Sequence, residues 1–308
     1  MTLEFYRQVL DVLCQEPVAI ATVIHTQRSV PREVGAMMAI TGDRTWNTIG
    51  GGAGEAAVIE AGRDVLCQGI PQRVTIDLAA TAQPGRHGVC GGQMQVWVAP
   101  WVGDEAIALL QILITQLSAG HAVTLTIPLS DTLPTLSITL LNQSAIAPDG
   151  QQFFHVLHPS PTLLIVGAGH VGLSLARLAQ VIDFQVWIQD DRPDLWPTLP
   201  PGVIATEHLP TLPPASYIAL VTRSYHHDLT ALRSLLQAPN PRYIGMIGSR
   251  ARIHRVFKQL EQDGVEGDRL SSIHAPIGLD IGALTPEEIA VSICAQLIQI
   301  RRCKPSVP

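Results

Sequence analysis

Apolar and polar positions alternate most cleanly between Gln93 and Val98. Met94, Val96 and Val98 fall on one side there, the pattern of a half-buried strand. A different period marks Thr2 to Gln15, where Phe5, Val9, Val12 and Leu13 share one helical face. Val18 to Ile24 is β-rich throughout and predicts a buried strand. Glu55 to Cys67 and Asp104 to Leu117 predict helices, and Ala122 to Ile127 and Leu136 to Leu141 predict strands. From residue 162 onward the chain switches regularly between the two periods. Strands are predicted over Thr162–Val166, Gln185–Ile188, Tyr217–Val221 and Arg242–Ile247, and helices over His170–Val181, Asp228–Leu236 and Arg250–Gln262. Such alternation predicts a parallel sheet with helices on both faces. A last helix opens at Thr285, with Pro286 in its first turn and Glu288 completing a capping box.

The fold class expected is α/β: a C-terminal Rossmann-type doubly wound parallel sheet plus an N-terminal mixed α/β domain. The break between them reads as residues 142 to 161. Asn142 to Gln152 is polar and contains a Pro-Asp-Gly turn, and His158-Pro159-Ser160-Pro161 is proline-bounded. The domains expected are residues 1–150 and 160–308.

Composition narrows the function classes. The chain has 308 residues, of which 46% are hydrophobic and only 15% charged. So few charges imply an extensive core or a buried interface between copies, and favour a homodimer. The net charge is −6, with no basic track of the kind that displaces counterions from nucleic acid. Arg250, Arg252, Arg255 and Lys258 form the densest basic segment, enough for one small anion. No apolar run is long enough to cross a bilayer, and Met1 to Glu16 lacks the regions of a signal peptide. The five cysteines show no CxxC spacing, which argues against a disulfide scaffold or structural zinc and for a reducing cytoplasm. No metal site is expected.

Gly167-Ala168-Gly169-His170-Val171-Gly172 matches GxGxxG between an apolar strand and a helix, and a second strand ends in Asp190-Asp191 about twenty residues on. Gly167 permits the tight turn, Gly169 lets a phosphate approach the backbone, and Gly172 lets the helix pack close to the sheet. His170 opens the helix whose free amides face the anion. Asp190 is positioned to accept from a ribose hydroxyl. The competing reading is a Rossmann turn retained only as structure. Gly248, Ser249 and Arg250 leave a later strand and enter a helix, which fits a second anion site or an ordinary capped helix equally well. Gly50, Gly51 and Gly52, with Glu55 just inside the following helix, fit an oxyanion cradle or a crowded turn. Arg32, between two strands, fits an anion clamp or a plain surface arginine. Cys90 sits among glycines with His87 nearby, as an activated thiolate or as a small packed residue. His226, His227 and Asp228 follow a strand end, as proton carriers or as a helix start. The fingerprint and these histidines also fit an NAD(P)-dependent oxidoreductase acting on a small molecule.

Taken in order, these segments resemble the XdhC/CoxI family, the xanthine dehydrogenase accessory proteins. The resemblance rests on Ser29-Val30-Pro31-Arg32-Glu33-Val34-Gly35, on Asn47 to Glu55 and on Cys90-Gly91-Gly92. It continues in Gly167 to Gly172, Asp190-Asp191-Arg192-Pro193, Tyr243 to Arg250, Pro276 to Gly282 and Thr285 to Ala290. Nearly the whole chain is covered. The resemblance implies an accessory protein that binds the molybdenum cofactor, aids its sulfuration with a cysteine desulfurase, and hands it to an apo molybdenum hydroxylase of the xanthine dehydrogenase type. That cofactor ends in a phosphate or a nucleotide-bearing pyrophosphate. One departure is plain. Many CoxI-type relatives have cysteine where this chain has Ala53, which leaves Cys90 as the sole nearby candidate for a sulfur or metal ligand. Asn47, where the commoner pattern has Gly, is a milder change.

Overall fold

The structure is a computed structural model that describes residues 3–78, 91–130, 132–138, 141, 143–213, 215–237 and 241–302. The chain divides into two compact units, Met1–Pro159 and Ser160–Pro308.

The first unit opens with helix α1 (Leu3–Leu13), then β1 (Val18–Gln27), β2 (Met37–Ile40), β3 (Thr45–Trp46), α2 (Gly52–Gln68), β4 (Gln72–Asp77), β5 (Gln93–Trp101) and α3 (Gly103–Ser118). Five of its strands form an antiparallel sheet in the order β3-β2-β1-β5-β4. Strand β1 lies at the centre and is buried from Val18 to Ile24, which explains an apolar run interrupted by Thr22 alone. One face of the sheet packs Ala19, Ala21, Val23, Met94, Val96 and Val98 against Val58 and Val65 of α2. The other face joins α1 and α3 through Ile20, Met37, Trp97 and Leu110. The alternation in β5 therefore has core on both sides, since Trp97 and Trp101 are buried opposite the Met94 row.

A four-stranded antiparallel sheet completes the unit: β6 (Val123–Pro128), β7 (Thr135–Ile138), β8 (Ala145–Ile146) and β9 (Gln152–Leu157), in the order β7-β6-β9-β8. Strand β9 lies inside the stretch read from sequence as a linker. It pairs with β6 from Gln152 to Leu157 and buries Phe153, His155 and Leu157. Its long-range pairing outweighs the proline and turn signals on either side, so the first unit runs on to Pro159.

The second unit contains β10 (Thr162–Val166), α4 (His170–Val181), β11 (Gln185–Gln189), β12 (Ile204–Thr206), β13 (Tyr217–Leu220), α5 (Tyr225–Leu235), β14 (Tyr243–Met246), α6 (Arg250–Gln262), α7 (Gly267–Ser271) and α8 (Pro286–Arg302). Its sheet is parallel throughout, in the order β12-β11-β10-β13-β14, which is the Rossmann-type arrangement. Helices α4 and α8 cover one face and α5, α6 and α7 the other. The predicted capping box of α8 forms: the Glu288 carboxylate accepts from the Thr285 amide, and the Thr285 hydroxyl accepts from the Glu288 amide. No described helix is long and apolar enough to cross a membrane.

Candidate functional site

Strand register assembles the site. Val166 pairs with Gln189 on one side and Leu220 on the other, so the chain leaves β10, β11 and β13 at one level. The order of connections reverses between β10 and β13, and ligands of open α/β sheets bind at such a reversal.

Each glycine of the β10–α4 turn has a distinct task. Gly167 has φ +116°, and a Cβ there would meet the Val221 carbonyl oxygen at 2.7 Å. A Cβ on Gly172 would lie 2.0 Å from the Gly167 carbonyl oxygen, so this glycine sets the approach of α4 to the turn. Gly169 differs: no described atom lies within 4 Å of where its Cβ would stand. It is the N-cap of α4, and no described side chain caps the helix there. The first-turn amides, with the positive end of the helix dipole behind them, therefore face open space.

Asp190, read from the sequence as a ribose acceptor, lines the cavity but has its carboxylate engaged within the protein. It is only 5% exposed. One oxygen accepts from the Ala168 amide at 2.7 Å, and both are held by Arg192 through Nε (2.8 Å) and Nη2 (2.9 Å), with the Arg192 amide adding a bond at 3.0 Å. The carboxylate pins the glycine turn from behind. Burial alone would raise its pKa, but these donors outweigh it and hold the group at about 2.

The opposite wall comes from the start of α5, which begins at Tyr225 rather than Asp228. Ser224 caps it, its hydroxyl accepting from the His227 amide. Arg223, just past the end of β13, holds Asp191 at 2.9 Å, and His227 Nε2 lies 3.5 Å from the same carboxylate. Together these elements enclose a cavity of about 830 Å³, reached by Gly167, Gly169, His170, Asp190, Arg223 and His226. His208 and Arg192 also line it. Asp228, read as a proton carrier, lies fully buried below the wall. It accepts from the Thr222 hydroxyl (2.6 Å) and pairs with Arg252 (2.5 Å). Burial pushes its carboxyl above the ordinary range, against the pull of Thr222 and Arg252. It positions α5 against α6 and does not face the cavity.

The second anion site read from Gly248, Ser249 and Arg250 is not part of this cavity. Ser249 caps α6, its hydroxyl accepting from the Arg252 amide at 3.3 Å, and Gly248 packs beside Arg252. Arg250 turns to a separate hollow of about 540 Å³ beside His254 and Lys258. Arg223 and His208 escaped the sequence reading. Arg223 had one usable signal, its place directly after a parallel strand. His208 follows β12, too short to announce itself.

In the first unit, the glycine turn before α2 is occupied by the protein itself. The Glu55 carboxylate reaches back to accept from the Thr48 hydroxyl, the Ile49 amide (3.0 Å) and the Gly51 amide (3.1 Å). Burial raises its pKa, and these donors more than reverse the shift, leaving it below the ordinary range. Gly51 thus gives its amide to Glu55 and not to an incoming anion, while Gly52 begins the helix. A Cβ on Gly50 would meet Pro31 Cγ at 2.4 Å, and one on Gly92 the Ser29 carbonyl oxygen at 2.3 Å. Three motif segments therefore converge, with Arg32 exposed beside them. Cys90 and His87 lie outside the described residues.

Fold and cleft together define an α/β protein with a Rossmann-type C-terminal unit. The XdhC Rossmann domain matches residues 163–297, and the XdhC and CoxI family matches residues 14–77. The chain belongs to the XdhC and CoxI family. It is 32% identical over 189 residues to a probable xanthine dehydrogenase subunit of Bacillus subtilis (strain 168), covering 57% of this chain and 53% of that one. It is 24% identical over 299 residues to the protein YqeB of Escherichia coli (strain K12), covering 94% of this chain and 44% of that one. The chain thus spans about half the length of the curated relatives it matches. Among solved structures, a xanthine dehydrogenase from Bacillus halodurans matches with a TM-score of 0.80 and 26% identity over 98% of both chains.

Proposed function

We propose that this chain is an accessory protein for a xanthine dehydrogenase-type molybdenum hydroxylase. In this reading it binds the molybdenum cofactor, assists sulfuration with a cysteine desulfurase, and delivers the cofactor to the apoenzyme in the cytoplasm. Family membership supports the accessory role. The observation that carries ligand binding is the open approach at Gly169, at the uncapped start of α4 within a cavity of ligand size. The α4 amides would take the terminal phosphate or pyrophosphate. Arg223 and His226 would meet further polar groups. Bound there, the cofactor supplies the molybdenum and dithiolene centre that the client enzyme uses. Cys90 is the candidate thiol for sulfur handling.

A second reading, an NAD(P)-dependent oxidoreductase, draws on the Rossmann-type strand order. Against it, the Asp190 oxygens are already engaged, so a ribose would have to turn to Asp191 or Arg192. Passing cofactor-loaded extract over the immobilised chain separates the two. Retention of molybdenum and pterin by the wild type and their loss in Gly169→Val support the first reading. Unretained cofactor, with tryptophan quenching and turnover on NADH or NADPH, establishes the second.

A further inference from the structure

Three carboxylates line the cavity of the second unit: Asp190, Asp191 and Glu207. Two of them are engaged. Asp190 is held by Arg192 and the Ala168 amide, and Asp191 by Arg223. Glu207 differs. It stands exposed just past β12, and no described residue donates to its carboxylate or pairs with it. Its backbone, by contrast, is fixed. Gln189 Nε2 donates to the Glu207 carbonyl at 2.8 Å, and the Thr206 hydroxyl donates to the His208 carbonyl at 2.8 Å. The turn therefore offers a free carboxylate on a pinned main chain. An unpaired negative charge opposes an anionic ligand unless that ligand also brings donors to it.

Strand register sets how far those donors stand from the phosphate. Val166, Gln189 and Thr206 lie in one row across β10, β11 and β12. Adjacent strands are about 4.8 Å apart, which separates the ends of β10 and β12 by about 10 Å. A ligand whose phosphate sits on the α4 amides meets Asp190 and Asp191 first, one strand away, where a sugar or pyran ring would fall. Glu207 lies one strand further, at the reach of a heterocycle carried beyond that ring. A carboxylate has two acceptor oxygens and no donor. It fits an edge that presents two N–H donors side by side, the 2-amino-4-oxopyrimidine edge shared by pterin and guanine. An adenine edge offers an amino group beside a ring nitrogen that only accepts, and sets a lone pair against the second oxygen. Leu209, half-buried in the same lining, supplies apolar surface for the ring.

We infer that Glu207 selects the heterocycle of the bound ligand by accepting from a 2-amino-4-oxopyrimidine edge; this rests on the cofactor reading in that the phosphate sits at Gly169. GMP, IMP and AMP test it by calorimetry on the full chain, since they share sugar and phosphate and differ at the pyrimidine edge. IMP lacks the amino donor, and AMP lacks the paired donors. GMP should bind about tenfold tighter than IMP or AMP. Glu207→Gln should weaken GMP about tenfold and bring the three within about threefold of one another. The side chain is exposed, so the variant should fold as the wild type does. Hydroxymethylpterin monophosphate, titrated alongside, separates the sources: tighter binding than GMP assigns the edge to pterin, and weaker binding assigns it to guanine. Failure of all four to bind, equal affinity for GMP, IMP and AMP, or a GMP preference that survives in Glu207→Gln would each overturn the inference. The cofactor reading fails separately, if loaded cofactor passes the immobilised chain unretained while the Glu207-dependent preference holds. Equal retention of cofactor by wild type and Glu207→Gln, without that preference, sinks the role of Glu207 alone.

Discussion

The glycine turns before α2 and α4 end in opposite states. Before α2, Glu55 folds back and fills the turn with its own carboxylate. Before α4, the corresponding anion, Asp190, comes from the neighbouring strand and holds the turn from the rear. The amides of α4 thus face an open cavity, whereas the Gly51 amide faces a resident carboxylate. Three glycines at a helix start do not by themselves make a binding site. What matters is where the nearest carboxylate sits.

Substitutions can break this comparison at several levels. The largest effect is expected for Gly172→Ala. Its methyl would meet the Gly167 carbonyl at 2.0 Å, against backbone that cannot give way. We expect a loss of roughly 3 kcal/mol or more, read by denaturant unfolding. Gly169→Ala should be nearly silent in the same assay, because φ is ordinary there and the space is open. Next is Asp190→Asn, which takes from Arg192 its nearest carboxylate. About 2 kcal/mol is expected. The folded pKa of about 2 lies below the ordinary value, so this contribution is present above pH about 4 and fades as pH falls toward 2. Stability measured across that range should lose part of its slope in the variant. Glu55→Gln should cost less, about 1 kcal/mol, since the site is partly solvated. Its pKa is also depressed, so wild-type stability should fall on acidification through the carboxylate range, and the variant should respond less. Gly51→Ala acts through the backbone, where φ is +79° but no described atom crowds the added methyl. With ψ at 178° this is a conformation that side chains other than glycine avoid, and a loss of about 1–3 kcal/mol is expected from the backbone alone.

The C-terminal unit was legible because a parallel sheet covered on both faces leaves continuous apolar runs in the chain. The β10–α4 turn and the cap of α8 followed from local patterns. Other features depend on residues far apart in sequence. Asp190 meets Ala168 only because Val166 and Gln189 share a register position, so the end of β11 showed an acid but not its partner. Arg252 looked like part of a basic cluster until the fold brought it to Asp228, 24 residues away. Strand β2 is only four residues long and buried throughout, so it carries no readable period, whereas edge strand β4 alternates over Arg73–Asp77, with Val74 and Ile76 between polar residues, and went unread because it is short. Helix α5 was read three residues late because Tyr225, His226 and His227 obscure the apolar pattern of its start.

The tie from Asp228 to Thr222 and Arg252 bears on how ligands are received. It fastens the root of α5 to α6 beneath the cavity wall, and breaking it would strand a charge in a dry setting. The wall that presents His226 is therefore braced before any guest arrives. A guest meets a surface already shaped, and little of its interaction energy is diverted into ordering that surface.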